Sequence, residues 1–150
     1  MFGALANALA AAQAKGNDAP MGFELVLDEG GTIQRPRLTP PPPDAHKYAR
    51  GSAMVISGPP LRTGASRLTA QAALAVGAGL VTILGTRGAL TEHAAHVSAI
   101  MLREQDAAFT AIDDRVRALA IGPGAGISGD LVEDIATLLL RHIPIVLDAD

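Results

Sequence analysis

The chain has no cysteine and no tryptophan, and aromatic residues make up 3 % of it. Without cysteine there is no disulfide framework, no thiolate metal cluster and no thiol nucleophile. With so few rings, the core must be assembled from Ala, Val, Ile and Leu, and a hydrophobic fraction of 49 % supplies them. Blocks of one charge are also missing. A net charge of −3 spread along the chain is unlike the basic stripe of a nucleic-acid binder. It leaves room for a phosphate-bearing small molecule, which backbone N–H groups can hold without Lys or Arg. No run reaches the roughly 18–20 apolar residues of a membrane helix. Met1 to Ala14 is apolar, but its first cation is Lys15, so the basic region of a secretory leader is absent and a cytoplasmic chain is expected.

What is present is small and apolar. The 16 glycines and the abundant alanine suit helices packed closely on a sheet. A length of 150 residues fits one domain. Residues 1–45 read as a preamble: an Ala-rich helix to Lys15, a break at Gly16–Pro20, and short strands at 23–27 and 32–38 around the turn at Asp28–Gly31. The run Pro40-Pro41-Pro42-Pro43 then makes a stiff extended linker.

From His46 the texture changes. Ala53–Ser57 and Leu80–Leu84 are continuous apolar runs of the kind buried on both faces of a parallel sheet. Ser98–Leu102, Arg117–Ile121 and Pro144–Asp148 are the further strands. Gly64–Val76 is helical, with Leu68, Ala72, Ala73 and Val76 as its inner stripe and Gly77 or Gly79 at its left-handed end. Thr91–His96 is a short helix. Asp130–Arg141 is amphipathic, with Leu131, Ile135, Leu138 and Leu139 on one face. Strand, Gly-rich turn and helix repeated in this way predict an α/β fold with a doubly wound, mostly parallel sheet and helices on both faces. Ligands of such sheets bind at the carboxyl ends of the strands.

Three segments fall there. Ser57 to Ser66 leads from the first strand into a helix N-terminus, where free amides and the dipole favour an anion. It is not a Walker A loop, and taken alone it reads more readily as a plain βα turn. Gly122-Pro123-Gly124-Ala125-Gly126 follows the fourth strand and permits positive φ and close approach of a ligand, or simply a sharp turn. Asp148-Ala149-Asp150 follows the fifth, as a ligand or cation contact or as a brace for neighbouring loops. Lys47, Gly122 and Gly126 are phosphate-binding candidates. His93 and His96 are spaced i, i+3, but no matching ligands accompany them, so no metal site is expected. His142, in the last turn of a helix, reads as structural. No Ser-His-Asp order is evident.

Together these pieces resemble a known family. His46-Lys47-Tyr48-Ala49-Arg50-Gly51, Thr63-Gly64-Ala65, Val76-Gly77-Ala78-Gly79-Leu80-Val81-Thr82, Gly122-Pro123-Gly124 and Leu147-Asp148-Ala149-Asp150 occur in the order and spacing of the opening of the ADP/ATP-dependent NAD(P)H-hydrate dehydratase domain. The resemblance covers residues 46–150. It implies a ribokinase-like fold and repair of the S-epimer of hydrated NADH or NADPH, with ATP or ADP as phosphoryl donor and Mg²⁺. It places Gly64, Ala65 and Gly124 against the dinucleotide, and Asp148 and Asp150 on the floor of the cleft. It also implies a homo-oligomer and, ahead of the domain, an epimerase domain or partner, with residues 1–45 a remnant of that domain or of its linker. The family's catalytic GTGD segment is absent from residues 1–150, so the expectation is a truncated, inactive domain whose last strand is an open edge, prone to pairing. Two alternatives stay open: a non-catalytic dinucleotide-binding module, and a sugar or vitamin kinase of the same fold.

Overall fold

The structure is a computed structural model that describes residues 40, 42–105, 112, 114–127, 129–141 and 143–148. The contacts divide the chain at Thr39–Pro40, and the described elements all belong to the unit from Pro40 to Asp150. The elements expected in 1–38, together with His142, Ala149 and Asp150, lie outside the described residues.

Five strands form one sheet: β1 (Ser52–Ile56), β2 (Leu80–Gly85), β3 (Met101–Glu104), β4 (Val116–Ile121) and β5 (Ile145–Leu147). Three helices join them: α1 (Gly64–Ala75), α2 (Arg87–Ala94) and α3 (Gly129–Leu139). The order is β3-β2-β1-β4-β5, and every pairing is parallel. The chain winds outward from β1 to β2 and β3, then crosses to β4 and β5 on the other side. The reversal lies between β1 and β4, where open α/β sheets form their ligand crevice.

The apolar runs become strands because each side chain finds a covered face. Val55, Val81 and Ile83 point to one side, where Ala70 of α1, Leu90 of α2 and Ile100 meet them. Met54, Ile56, Leu84, Leu119 and Ile121 point to the other, under Leu131, Ile135 and Leu138 of α3. Burying one such Val, Leu or Ile is worth about 1.5–3 kcal/mol.

Three expectations are corrected. The inner face of α1 is Ser66, Ala70, Ala73 and Leu74, while Leu68 and Val76 are 69 % and 64 % exposed. The helix turns its smallest residues inward because they let its axis approach the sheet closely. The third strand begins at Met101, three residues later than the apolar run suggests. It is an edge strand, so it needs little apolar cover, and the apolar residues Val97 and Ile100 pack in the approach to it instead. The helix before it also starts earlier, at Arg87, because Thr86 caps it by accepting from the Ala89 N–H at 3.4 Å.

Gly77 takes the left-handed end of α1, with φ +112°. Its N–H reaches the Leu74 carbonyl, and the Ala78 N–H reaches that of Ala73, which is the two-bond Schellman ending.

Candidate functional site

The loops at the carboxyl ends of β1 and β4 interlock through glycine. A Cβ on Gly58 would land on the Gly124 carbonyl oxygen, 2.7 Å from the Gly124 carbonyl carbon and 2.8 Å from the Arg62 oxygen. Gly124 (φ +74°) in turn lies against the Arg62 backbone, and Gly126 (φ +80°) against the Arg62 guanidinium. Gly122 (φ +116°) packs on the backbone of Asp148, whose N–H donates to the Ile121 carbonyl at 3.0 Å. The structure therefore gathers the Ser57–Ala65, Gly122–Gly126 and Asp148 segments at one edge. Gly64 is different: the nearest atom to its Cβ position is an Arg67 nitrogen at 4.0 Å, and both Gly64 and Ala65 are exposed. They open α1, and the amides of such a first turn have no helical partner. Thr63, at the cap position, does not cap them with its side chain.

Lys47 is not part of this gathering. It precedes β1 and sits at the amino edge of the sheet, lining a cavity of about 210 Å³ with Tyr48, Ser52, Thr82, Arg103 and Arg115. Its ammonium lies 5.1 Å from the centre of the Tyr48 ring, a cation–π distance.

A cluster behind the β1–α1 loop was not foreseen. Ser57 Oγ and His93 Nε2 are 2.8 Å apart, although 36 residues separate them. His93 is fully buried, and among the described residues its Nδ1 has no hydrogen-bond partner. The Ser57 hydroxyl donates to the Gly58 carbonyl at 2.8 Å. Its single hydrogen is thereby used, so Nε2–H donates to Ser57 and Nδ1 carries the bare lone pair. Ser66, also fully buried, donates to the Thr63 carbonyl at 2.9 Å. The neighbouring Glu92 accepts from the Leu61 N–H at 2.8 and 3.0 Å and from the Thr63 hydroxyl at 2.9 Å. Arg67 completes the set by donating to the Thr63 hydroxyl oxygen at 2.7 Å.

Burial pushes the His93 pKa below its ordinary 6.5; Arg67 and His96 add to the shift, and Glu92 opposes it. A proton on Nδ1 would create a buried donor with no acceptor, which is the same penalty in structural terms. The unfolded chain takes up this proton near pH 6.5 while the folded chain resists it. Stability contributed by the neutral ring is therefore complete above about pH 6.5 and is lost as the pH falls toward the folded value. Melting curves between pH 7.5 and 5 are expected to fall more steeply for the parent chain than for His93→Gln, whose side-chain amide can still donate to Ser57. Parallel curves would refute the assignment.

Among the described residues, no group of three His, Asp or Glu side chains is placed to hold a metal ion. Nor is any described helix long and apolar enough to cross a membrane.

Comparison with known proteins agrees with this geometry. A family model described as NAD(P)H-hydrate dehydratase matches residues 53–150. A bifunctional NAD(P)H-hydrate repair enzyme of Moorella thermoacetica is 36 % identical over 118 residues, spanning 70 % of this chain and 22 % of that protein. Its namesake in Coxiella burnetii is 38 % identical over 113 residues, spanning 71 % and 22 %. The chain thus covers about a fifth of the length of these relatives. Among solved structures, the ADP/ATP-dependent NAD(P)H-hydrate dehydratase of Bacillus subtilis, co-crystallised with ATP and Mg²⁺, superposes with a TM-score of 0.65 at 23 % identity, covering 73 % of this chain and 40 % of that one. A ribokinase-like superfamily protein of Enterococcus faecalis gives a TM-score of 0.60 at 23 % identity, covering 73 % and 39 %. The doubly wound sheet is accordingly of the ribokinase-like kind, and the chain belongs to the NAD(P)H-hydrate dehydratase family.

Proposed function

We propose that residues 46–150 are the substrate-side portion of a dehydratase domain that returns the S-epimer of hydrated NADH or NADPH to the native dinucleotide. The observation that carries this reading is the contrast within one loop edge. The Cβ sides of Gly58, Gly122 and Gly124 are taken up by packing loop on loop, while Gly64 and Ala65 are left open at the start of α1 beside them. A dinucleotide laid over this edge meets unpartnered amides at the positive end of a helix dipole. Gly64, Ala65 and Gly124 would contact it, with Asp148 and Asp150 lining the floor and Gly122 and Gly126 near a phosphate.

Dehydration needs a leaving group better than hydroxide. A phosphoryl group moved from ATP or ADP to the hydrate's hydroxyl, leaving ADP or AMP, supplies one, and phosphate departs while the neighbouring ring carbon loses a proton and the double bond forms. Among the described residues no three carboxylate or imidazole groups come together, and no step is assigned to metal or nucleotide within this portion. In this reading the chain is cytoplasmic, residues 1–45 derive from a preceding epimerase domain or its linker, and the assembly is a homo-oligomer.

The test is titration of the full chain with hydrated NADPH by calorimetry, followed by addition of ATP or ADP and measurement of recovered nicotinamide absorbance. The expected result is binding of the hydrate without recovery. Equal affinity for hydrated and native NADPH would point instead to a non-catalytic dinucleotide-binding module. Recovery above a protein-free control would show that a residue within 1–150 replaces the family's catalytic aspartate.

A further inference from the structure

The loop between β1 and α1 carries a residue in the wrong conformation for its type. The Arg62 N–H donates to the Pro59 carbonyl at 3.0 Å, closing a four-residue turn with Pro60 and Leu61 at its centre. Leu61 has φ +69°, the one non-glycine positive φ among the described residues. Proline followed by positive φ is the type II turn, whose third position calls for glycine. Leucine there is strained by its Cβ, and in the type I alternative it would relax to negative φ. Nor is the side chain rewarded by packing, because it is 93 % exposed.

The two turn types differ by a flip of the Pro60–Leu61 peptide. In the observed form the Leu61 N–H meets both oxygens of Glu92, at 2.8 and 3.0 Å. A charge-assisted bond to a carboxylate offsets the strain of one residue held at positive φ. The flip would remove it. The same carboxylate takes the Thr63 hydroxyl, one residue before Gly64, and the adjacent His93 holds Ser57 at the other end of the loop. Helix α2 thus grips the loop at Ser57, Leu61 and Thr63.

We propose that Glu92 is a positioning residue: its carboxylate selects the type II form of the Pro59–Arg62 turn, and that form delivers Gly64 and Ala65 to the dinucleotide. The second half of this statement rests on the substrate reading given above; the first does not.

The test is a double-mutant cycle in the full chain, combining Glu92→Ala with Leu61→Gly. It is read both by amide hydrogen-exchange protection over residues 61–65 and by calorimetric affinity for hydrated NADPH. Glycine adopts positive φ without strain, so it makes the carboxylate dispensable. Glu92→Ala alone is expected to lower protection and affinity by about tenfold each, as loss of one charge-assisted bond implies. In the Leu61→Gly background the same change is expected to cost less than about threefold, the non-additivity that marks a direct coupling. If alanine prevents folding, Glu92→Gln carries the cycle with a smaller expected loss, since it removes the charge and one of the two oxygens that the Leu61 N–H meets. Unchanged protection in Glu92→Ala, or an equal loss in both backgrounds, overturns the proposal. Wild-type chain that ignores the hydrate but shows the coupled protection loss leaves the clamp standing and removes the dehydratase reading.

Discussion

Gly79→Ala is expected to destabilise the fold by about 3 kcal/mol or more, the upper end of what an added methyl group costs in a packed site. The new Cβ would land on the Lys47 carbonyl oxygen, 2.7 Å from the Lys47 carbonyl carbon and 2.9 Å from Arg50 Cβ. The obstructing atoms are mostly backbone, and that backbone is tied down: the Gly79 N–H donates to the Gly51 carbonyl at 3.0 Å, and the Arg50 and Ala49 amides both return to His46. Relief would have to break the entry into β1 and β2 together. Gly77, two residues earlier in the same Gly-Ala-Gly segment, is the control. Nothing lies within 4 Å of its Cβ position, and its cost comes from φ +112° alone. Gly77→Ala should therefore lose only about 1–2 kcal/mol. Urea unfolding of both variants measures the difference. A Gly77→Ala loss as large as that of Gly79→Ala would mean that conformation, and not close approach, governs this segment.

That pair illustrates how far the sequence could be read. Two glycines around Ala78 signalled the end of a helix, and either suited the left-handed position. Only the packing of Lys47 against Gly79 separates their roles, and that contact joins segments some thirty residues apart. The strands were legible for a simpler reason. Met54–Ile56 and Val81–Leu84 are covered on both faces, so each appears as an apolar run, interrupted only by the buried Thr82. Helix α3 was legible because Leu131, Ile135 and Leu138 fall on one stripe. Helix α1 misled because its inner face is built of Ser66, Ala70 and Ala73, which score as neutral, while Leu68 and Val76 face outward.

The site divides in the same way. Parallel strands and the Gly-rich segments after them placed the Ser57–Ala65 and Gly122–Gly126 loops on one edge before any coordinates. The same polarity argument places Lys47, which precedes β1, on the opposite edge. The grip of Glu92 and His93 on the β1–α1 loop had no signature in spacing. It follows from the sheet order: β2 lies beside β1, so the helix after β2 comes to stand behind the loop after β1. A signal was available in Pro60-Leu61, a turn with leucine where glycine is wanted, since such a residue needs an outside partner.

The glycines of the β1–α1 loop are expected to part company when each is replaced by alanine. Gly58→Ala should lose both fold and ligand. Its Cβ would collide with the carbonyl groups of Gly124 and Arg62, so the β1 and β4 loops could not interlock. These loops meet at the sheet's reversal, and separating them exposes Ile56 and Ile121, which are 2 % and 0 % exposed in the intact fold. A cost of about 3 kcal/mol or more is expected, with hydrate binding abolished. Gly64→Ala should do the opposite to stability. It has open space around it and begins a helix, where alanine is favoured over glycine by up to about 1 kcal/mol. The melting temperature should hold or rise. The added methyl nevertheless stands where the dinucleotide would lie, so affinity for hydrated NADPH should fall by about tenfold or more, as expected when binding relies on close backbone approach. A stable Gly64→Ala chain that keeps full affinity would remove this edge as the binding site. A stable Gly58→Ala chain would show instead that the two loops are free to move apart.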